Sequence, residues 1–283
     1  MREALLGVAV GKKGVGKSYT TLQLISQYIK GGVDIKPRRV LIIDVNDEYS
    51  NVKAIRVKDV NLFSHHPKIE ARRIRPYNED GSKMTLNDIA ESCFDILQSY
   101  KGGLLLIEDI NRYIGDYLPN DLVGALCTNR HNDLDIICHF QSIGRVGTKI
   151  WQNINWLRFH KNTDGVDRHK KKFEDKYEAF KIMEILVNKQ YFAGNKYIHL
   201  TYDCDTEKIK GNYSKNMIDE AIDEYIAENY SKKVKPLLNQ INNQGKKKYT
   251  PQTATAEVKS LIIKMYCEIS TNSQCLTCSK SGV

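Results

Sequence analysis

Residues 11–18 read GKKGVGKS, and no other stretch constrains the chain as tightly. Gly11, Gly16, Lys17 and Ser18 satisfy the spacing G-x-x-x-x-G-K-[ST]. The apolar run LLGVAV precedes the stretch, and SYTTLQLISQYIK, apolar at helical period, follows it. A glycine-rich turn between strand and helix lets backbone N–H groups converge on phosphate oxygens, and the helix N-terminus adds its dipole. The pattern therefore assigns Gly11, Lys12, Lys13, Gly14, Val15, Gly16, Lys17, Ser18 and Tyr19 to the phosphates of a nucleotide, with ATP as the expected ligand. Lys17 is expected to reach the β- and γ-oxygens and Ser18 to coordinate Mg2+.

Strand-like and helical runs alternate through the next two hundred residues. RRVLIIDV (38–45), GGLLLIEDI (102–110), LDIICHFQ (134–141), NWLRFHKN (155–162) and KYIHLTYD (196–203) read as strands. RRVLIIDV and GGLLLIEDI are apolar on both faces, as buried parallel strands are. Residues 85–100 read as an amphipathic helix with Thr85 at its N-cap and Asp88 three residues on. Further helices are expected over 119–130 and 174–189, and residues 52–76 lean toward β. The alternation predicts a three-layer α/β fold with a central, mainly parallel sheet over residues 1–213. A C-terminal helix is expected over 214–238. Residues 239–283 read as a flexible linker and tail carrying a short helix within 256–270.

A phosphate loop by itself only binds; hydrolysis needs an anchor for the metal and a group that acts on water. LLLIED offers both, because four apolar residues carry Glu108 and Asp109 to the C-terminal end of a central strand. Glu108 is assigned to the Mg2+ shell and Asp109 to the attacking water. Gln141 ends the next strand and would face the γ-phosphate if the two strands are neighbours. Asp44, in IIDVNDEYSN, has two readings: it points to the nucleotide edge, or it builds a turn with Asn46 and Asp47.

Forty-three basic residues against 34 acidic give a net charge of +9, which favours a polyanionic partner such as nucleic acid. Basic clusters stand at Arg72, Arg73 and Arg75, at 168–172, and among the lysines after residue 231. No apolar run approaches the roughly 18 residues that a membrane helix needs, and the start lacks the shape of a signal peptide. A cytoplasmic location is expected, that of the host if the protein is viral. Cys93, Cys127 and Cys138 fall in apolar segments, as buried reduced thiols do. Cys275 and Cys278 form a lone CxxC, short of the four ligands a zinc site takes.

Four segments, GKKGVGKS, IIDVNDEYSN, LLLIEDINRYI and TNRHNDLDIICHFQS, occur in that order over residues 3–165. Together they resemble the HerA/FtsK superfamily of ring-forming P-loop ATPases, which includes phage and viral packaging ATPases and the zonula occludens toxin-like assembly ATPases. The family's D-x-x-x-E-Y is matched by Asp44, Glu48 and Tyr49, its paired acids by Glu108 and Asp109, and its strand-end glutamine by Gln141. The family arginine that acts on the neighbouring subunit's ATP is matched by Arg130, with Arg145 as a rival. The order Glu-Asp departs from the family's commoner Asp-Glu. The resemblance implies a RecA-like P-loop NTPase fold and an ATPase that moves double-stranded DNA as a hexameric or pentameric ring, with a capsid or portal protein as partner in a packaging role. A second resemblance competes. KKGVGKS approaches the loop of ParA/MinD-type partition ATPases, where an early lysine such as Lys12 crosses a dimer interface.

Overall fold

The computed structural model describes residues 3–32, 36–113, 124–126 and 129–268, with the backbone alone at 129, 130 and 174. One sheet of eight strands organises them, in the order β3-β2-β4-β5-β1-β6-β7-β8. In chain order the strands are β1 (Leu6–Val10), β2 (Arg39–Ile43), β3 (Ala71–Ile74), β4 (Gly103–Ile107), β5 (Asp135–Phe140), β6 (Trp156–His160), β7 (His199–Asp203) and β8 (Lys208–Gly211). β3 through β6 run parallel, and β7 and β8 close one side antiparallel. The mainly parallel α/β fold expected from the alternation is what the chain adopts.

Side-chain alternation divides the core between the two faces of the sheet. Leu41, Ile43, Leu105 and Ile107 belong to the larger cluster, which also takes Ile96 and Leu97 of helix α2 (Leu86–Ser99). Val40, Ile42, Leu104 and Leu106 point the other way and pack with Ile25 of helix α1 (Lys17–Lys30). α1 stops where expected, at Gly31. α2 starts at the expected cap: the Asp88 amide donates to Thr85 Oγ1 at 3.2 Å and the Thr85 amide to Asp88 Oδ2 at 2.8 Å. Helix α3 (Tyr177–Phe192) buries Phe180, Met183 and Val187 on the larger cluster, and helix α4 (Lys215–Glu228) adds Ile218, Ile222 and Ile226.

Several segments depart from the sequence reading. Residues 57–64 form a 3-10 turn and a short helix, because Val60 and Phe63 are buried at helical spacing; only Ala71–Ile74 is strand. β8 was not foreseen, since KIKG buries only Ile209. The helix expected over 214–238 breaks at Asn229 into α4 and two four-residue helices, the second opening on Lys235 and Pro236. Of the helix expected over 119–130, residues 124–126 are helical, 129–132 form a 3-10 turn, and the rest lies outside the described residues.

The polar stretch read as linker runs into helix α5 (Pro251–Tyr266), whose Ala254, Val258, Ile262 and Tyr266 are buried. Cys267 then bridges to Ile209 of β8. Positions 254, 258, 262 and 266 recur every four residues, a stripe hidden in the sequence by the threonines and lysines between them. Cys275 and Cys278 lie outside the described residues. If α5 is part of the cooperative fold, Ile262→Ala should cost about 2–4 kcal/mol, the usual loss for a buried isoleucine. Urea unfolding of the full chain measures it; an unchanged midpoint would mean that α5 is an independent appendage.

Candidate active site

The loop between β1 and α1 turns on glycines in the left-handed region, Gly14 at φ 79° and Gly16 at φ 87°. Gly11 is fixed by crowding: a Cβ there would lie 2.7 Å from His160 Cβ. Val15 is buried beneath the loop. Lys17 is only 8% exposed, and its ammonium donates to the carbonyls of Gly11 and, at 3.1 Å, of Lys12. Burial lowers the Lys17 pKa, against the opposing pull of Asp109, Glu108 and Glu48.

β4 and β5 are neighbours, so their ends bring the acid pair and Gln141 together at the mouth of the loop. Glu108 alternates with Leu106 and therefore faces α1, where Ser18 Oγ donates to its Oε1 at 3.2 Å. The Tyr49 hydroxyl donates to the same oxygen, and His139 Nδ1 lies 3.0 Å from Oε2. Burial alone would push the Glu108 carboxyl up; His139 beside it, with the Tyr49 and Ser18 hydroxyls, outweighs burial and holds it at about 2. Asp109 turns out of the strand in a left-handed conformation, φ 43°, uncommon for a residue with a Cβ. Its Oδ2 accepts from Asn46 Nδ2 and from Gln141 Nε2, each at 3.2 Å.

A cavity of about 370 Å³ opens between these groups, lined by Lys13, Gly14, Gly16, Lys17, Ser18, Tyr19, Glu108, Asp109 and Gln141. Three residues not assigned from the sequence also line it: Asn46, Glu48 and Arg112. Arg112 Nη1 donates to Asn46 Oδ1, and partial burial together with Glu108 and Asp109 raises the Glu48 pKa. The motif alignment held Glu48 and Tyr49 as matches only, and Arg112, three residues past Asp109, carried no signal. The oxygens of Ser18 and Glu108 suit a hard divalent cation that completes its shell with phosphate and water, as Mg2+ does.

Two residues take other places. Asp44 is buried away from the cavity; its carboxylate accepts from the amides of Glu48 and Tyr49 and pairs with Arg73 at 2.7 Å. The turn-building reading of Asp44 is the one the geometry realises. Lys12 does not line the cavity, and its Nζ lies 4.5 Å from the centroid of Tyr191 in the same chain. Arg130 lies in a 3-10 turn just before β5, and its side chain is outside the described residues.

A buried hydrogen-bond line runs behind Glu108. Arg158 Nη1 donates to Thr21 Oγ1 at 3.0 Å, and Thr21 Oγ1 lies 2.8 Å from His139 Nε2. Because Arg158 can only donate, the Thr21 hydrogen is free to point at Nε2. With a proton on Nδ1, His139 donates to Glu108. Thr21→Val keeps the shape and removes both bonds, so stability should fall by about 1–3 kcal/mol for the polar atoms left buried. Thr21→Ser should restore it in the same urea titration; equal stability of all three forms would dissolve the line.

His160 lies under the loop, with Nδ1 3.1 Å from the Val15 carbonyl and its ring stacked on His199 at 5.0 Å. Burial, then His199, Arg158 and Lys17, hold the His160 pKa well below 6.5. The folded state keeps it neutral while the unfolded chain takes up a proton below about 6.5, so this residue's stabilising share falls as the pH drops from there. The urea midpoint should fall between pH 7.5 and pH 5.5, and by less in His160→Gln. An identical pH slope in the variant would show that His160 does not carry the effect.

Fold and site together define a P-loop NTPase with a strand-end acid pair. Residues 8–104 match the family model described as the central domain of the helicase HerA. Among solved structures, the chain is similar to the genome packaging NTPase B204 from Sulfolobus turreted icosahedral virus 2 in complex with AMP. Identity is 18%, the TM-score is 0.50, and the match covers 75% of this chain and 99% of that one. The DNA-packaging ATPase B204 from Sulfolobus Turreted Icosahedral Virus matches at 17% identity and a TM-score of 0.49, over 74% of this chain and 97% of that one. The N-terminal domain of zonular occludens toxin from Neisseria meningitidis matches at 14% identity and a TM-score of 0.32, over 57% of this chain and 79% of that one. A comparison with curated proteins found no match. Over residues 8–104 the chain is thus similar to the HerA central domain, and its fold is that of a P-loop NTPase. Among the described residues, no helix is long and apolar enough to cross a membrane.

Proposed function

We propose that the protein hydrolyses ATP and uses the cycle to move double-stranded DNA, as the motor of a viral genome-packaging machine. The observation that carries the hydrolytic part is the meeting of Ser18, Glu108, Asp109 and Gln141 in one cavity at the mouth of the phosphate loop. Lys17 exchanges the loop carbonyls for the β- and γ-oxygens. Bound Mg2+, held by Ser18 and Glu108, would neutralise charge at those oxygens. Glu108, kept ionised by its three donors, serves as an anchor rather than a base. Asp109, held by Asn46 and Gln141, takes the proton of the water that attacks the γ-phosphorus. Glu48, whose raised pKa suits a proton acceptor, is the second candidate for that role. Arg112 adds a cation within the same subunit.

Arg130 is proposed as the finger that a neighbouring subunit inserts, an effect worth about 10³–10⁵ in rate where it operates. Such a residue makes turnover depend on a closed ring, a hexamer or pentamer. The packaging role draws support from the similarity to the genome packaging NTPase B204 and from the net charge of +9. In that role a capsid or portal protein would be the docking partner. Of the basic clusters, Arg72, Arg73 and Arg75 are engaged with Glu70, Asp44 and Asp47. Arg168 and Lys171, exposed on the 3-10 segment Val166–Lys172, are the better candidates for DNA phosphates. The partition-ATPase alternative is not favoured, because Lys12 is held by Tyr191 of its own chain.

Steady-state ATP turnover with and without long duplex DNA tests the reading. Lys17→Ala and Glu108→Gln should each lower turnover at least a hundredfold, and duplex DNA should raise the wild-type rate. Arg130→Ala should be inactive alone and regain activity when mixed with Lys17→Ala subunits, which still bring the arginine. Turnover that ignores DNA and survives Glu108→Gln would sink the motor reading.

A further inference from the structure

The cavity accounts for the phosphates and leaves the base of the nucleotide without a place. Sheet order says on which side the base must lie. Glu108 and Gln141 follow β4 and β5, both to one side of β1. The other neighbour of β1 is β6, followed by β7. A polyphosphate with its γ end at the acids therefore directs its nucleoside toward the β6–β7 side.

Exposed aromatic side chains stand around the phosphate loop. Tyr197, in the turn before β7, lies against the phosphate loop: a Cβ on Gly16 would be 3.3 Å from its Cδ1. Its side chain is nevertheless 68% exposed. Phe192, at the end of α3, is 77% exposed, and Tyr19, in the first turn of α1 and on the cavity wall, is 69% exposed. Lys12 over Tyr191 and Lys161 Nζ, 5.2 Å from the Phe192 centroid, tie the end of α3 to the loop and to the residue after β6. Large aromatic rings left in water beside a ligand site mark a surface that a ligand covers. A flat ring is what a nucleobase stacks on.

We propose that Tyr197 is the platform on which the nucleobase stacks, with the Lys12–Tyr191 pair holding the platform at a fixed distance from the phosphate loop; this rests on the reading of residues 11–18 as a nucleotide site. A ring face contacts the π-surface of a base and ignores its hydrogen-bonding edge, so the site takes purine nucleoside triphosphates with little choice between them. Tyr197 is exposed, and its replacement leaves the core intact.

Calorimetric titration of the full chain with ATP, GTP and inorganic tripolyphosphate, each with Mg2+, tests the platform. Tyr197→Ala should raise the Kd for ATP on the order of tenfold, the usual loss of one base–aromatic stack, and leave tripolyphosphate binding unchanged. Tyr197→Trp should restore ATP binding, and wild-type ATP and GTP should agree within about fivefold. Three results would overturn the platform: unchanged ATP affinity in Tyr197→Ala, an equal loss for ATP and tripolyphosphate, or a hundredfold preference for one purine. Wild-type protein that binds neither ATP nor tripolyphosphate would instead overturn the nucleotide reading, and the platform with it.

Discussion

The Glu108 carboxylate is nearly excluded from water, and much of the site is arranged to make that tolerable. A lone buried carboxylate would stay protonated, since burial penalises its charge. Here three donors reach it from three directions: Ser18 from the helix after the phosphate loop, Tyr49 from the turn after β2, and His139 from β5. Each donor lies on an element of the parallel sheet or its crossovers, so the ionised state of one side chain depends on the register of strands that pair far apart in sequence. The same three contacts tie the loop, the turn and the acid pair into one unit.

Much of this unit was legible in the chain. The glycines at 14 and 16 and the lysine at 17 announce their own geometry, because a backbone that curls around phosphate leaves few alternatives. The acid pair was legible because four apolar residues in front of it left only one place for Glu108, the end of a buried strand. Gln141 followed once β4 and β5 were taken as neighbours. His139, Thr21 and Arg158 were not legible. Each is a lone polar residue in an apolar or helical segment, and its meaning comes from a partner 31 to 137 positions away. Arg112 and Asn46 escaped for the same reason, since they sit in turns whose direction no periodicity sets. Asp44 had two readings, and the decision between them required Arg73, which arrives on an edge strand.

The tail shows a different limit. Helix α5 was readable as a helix, but its docking was not, because a four-residue apolar repeat among threonines and lysines looks like a solvated segment. In the fold the repeat packs against α4 as well as β8, a strand itself too short and too charged to be noticed. Two weak signals, each dismissed on its own terms, stabilise one another in the fold.

The line from Arg158 through Thr21 to His139 has a consequence for where protons go. A guanidinium does not release its proton under ordinary conditions. The line is therefore closed at its inner end: it can orient hydrogens but cannot carry one away from Glu108. In the proposed hydrolysis, a proton freed when water attacks a phosphate would leave by the open side of the cavity, where Asp109 and Glu48 stand. On that reading the buried half of the site would work as a wall and the exposed half as a drain, a division of labour fixed by one arginine that does not line the cavity.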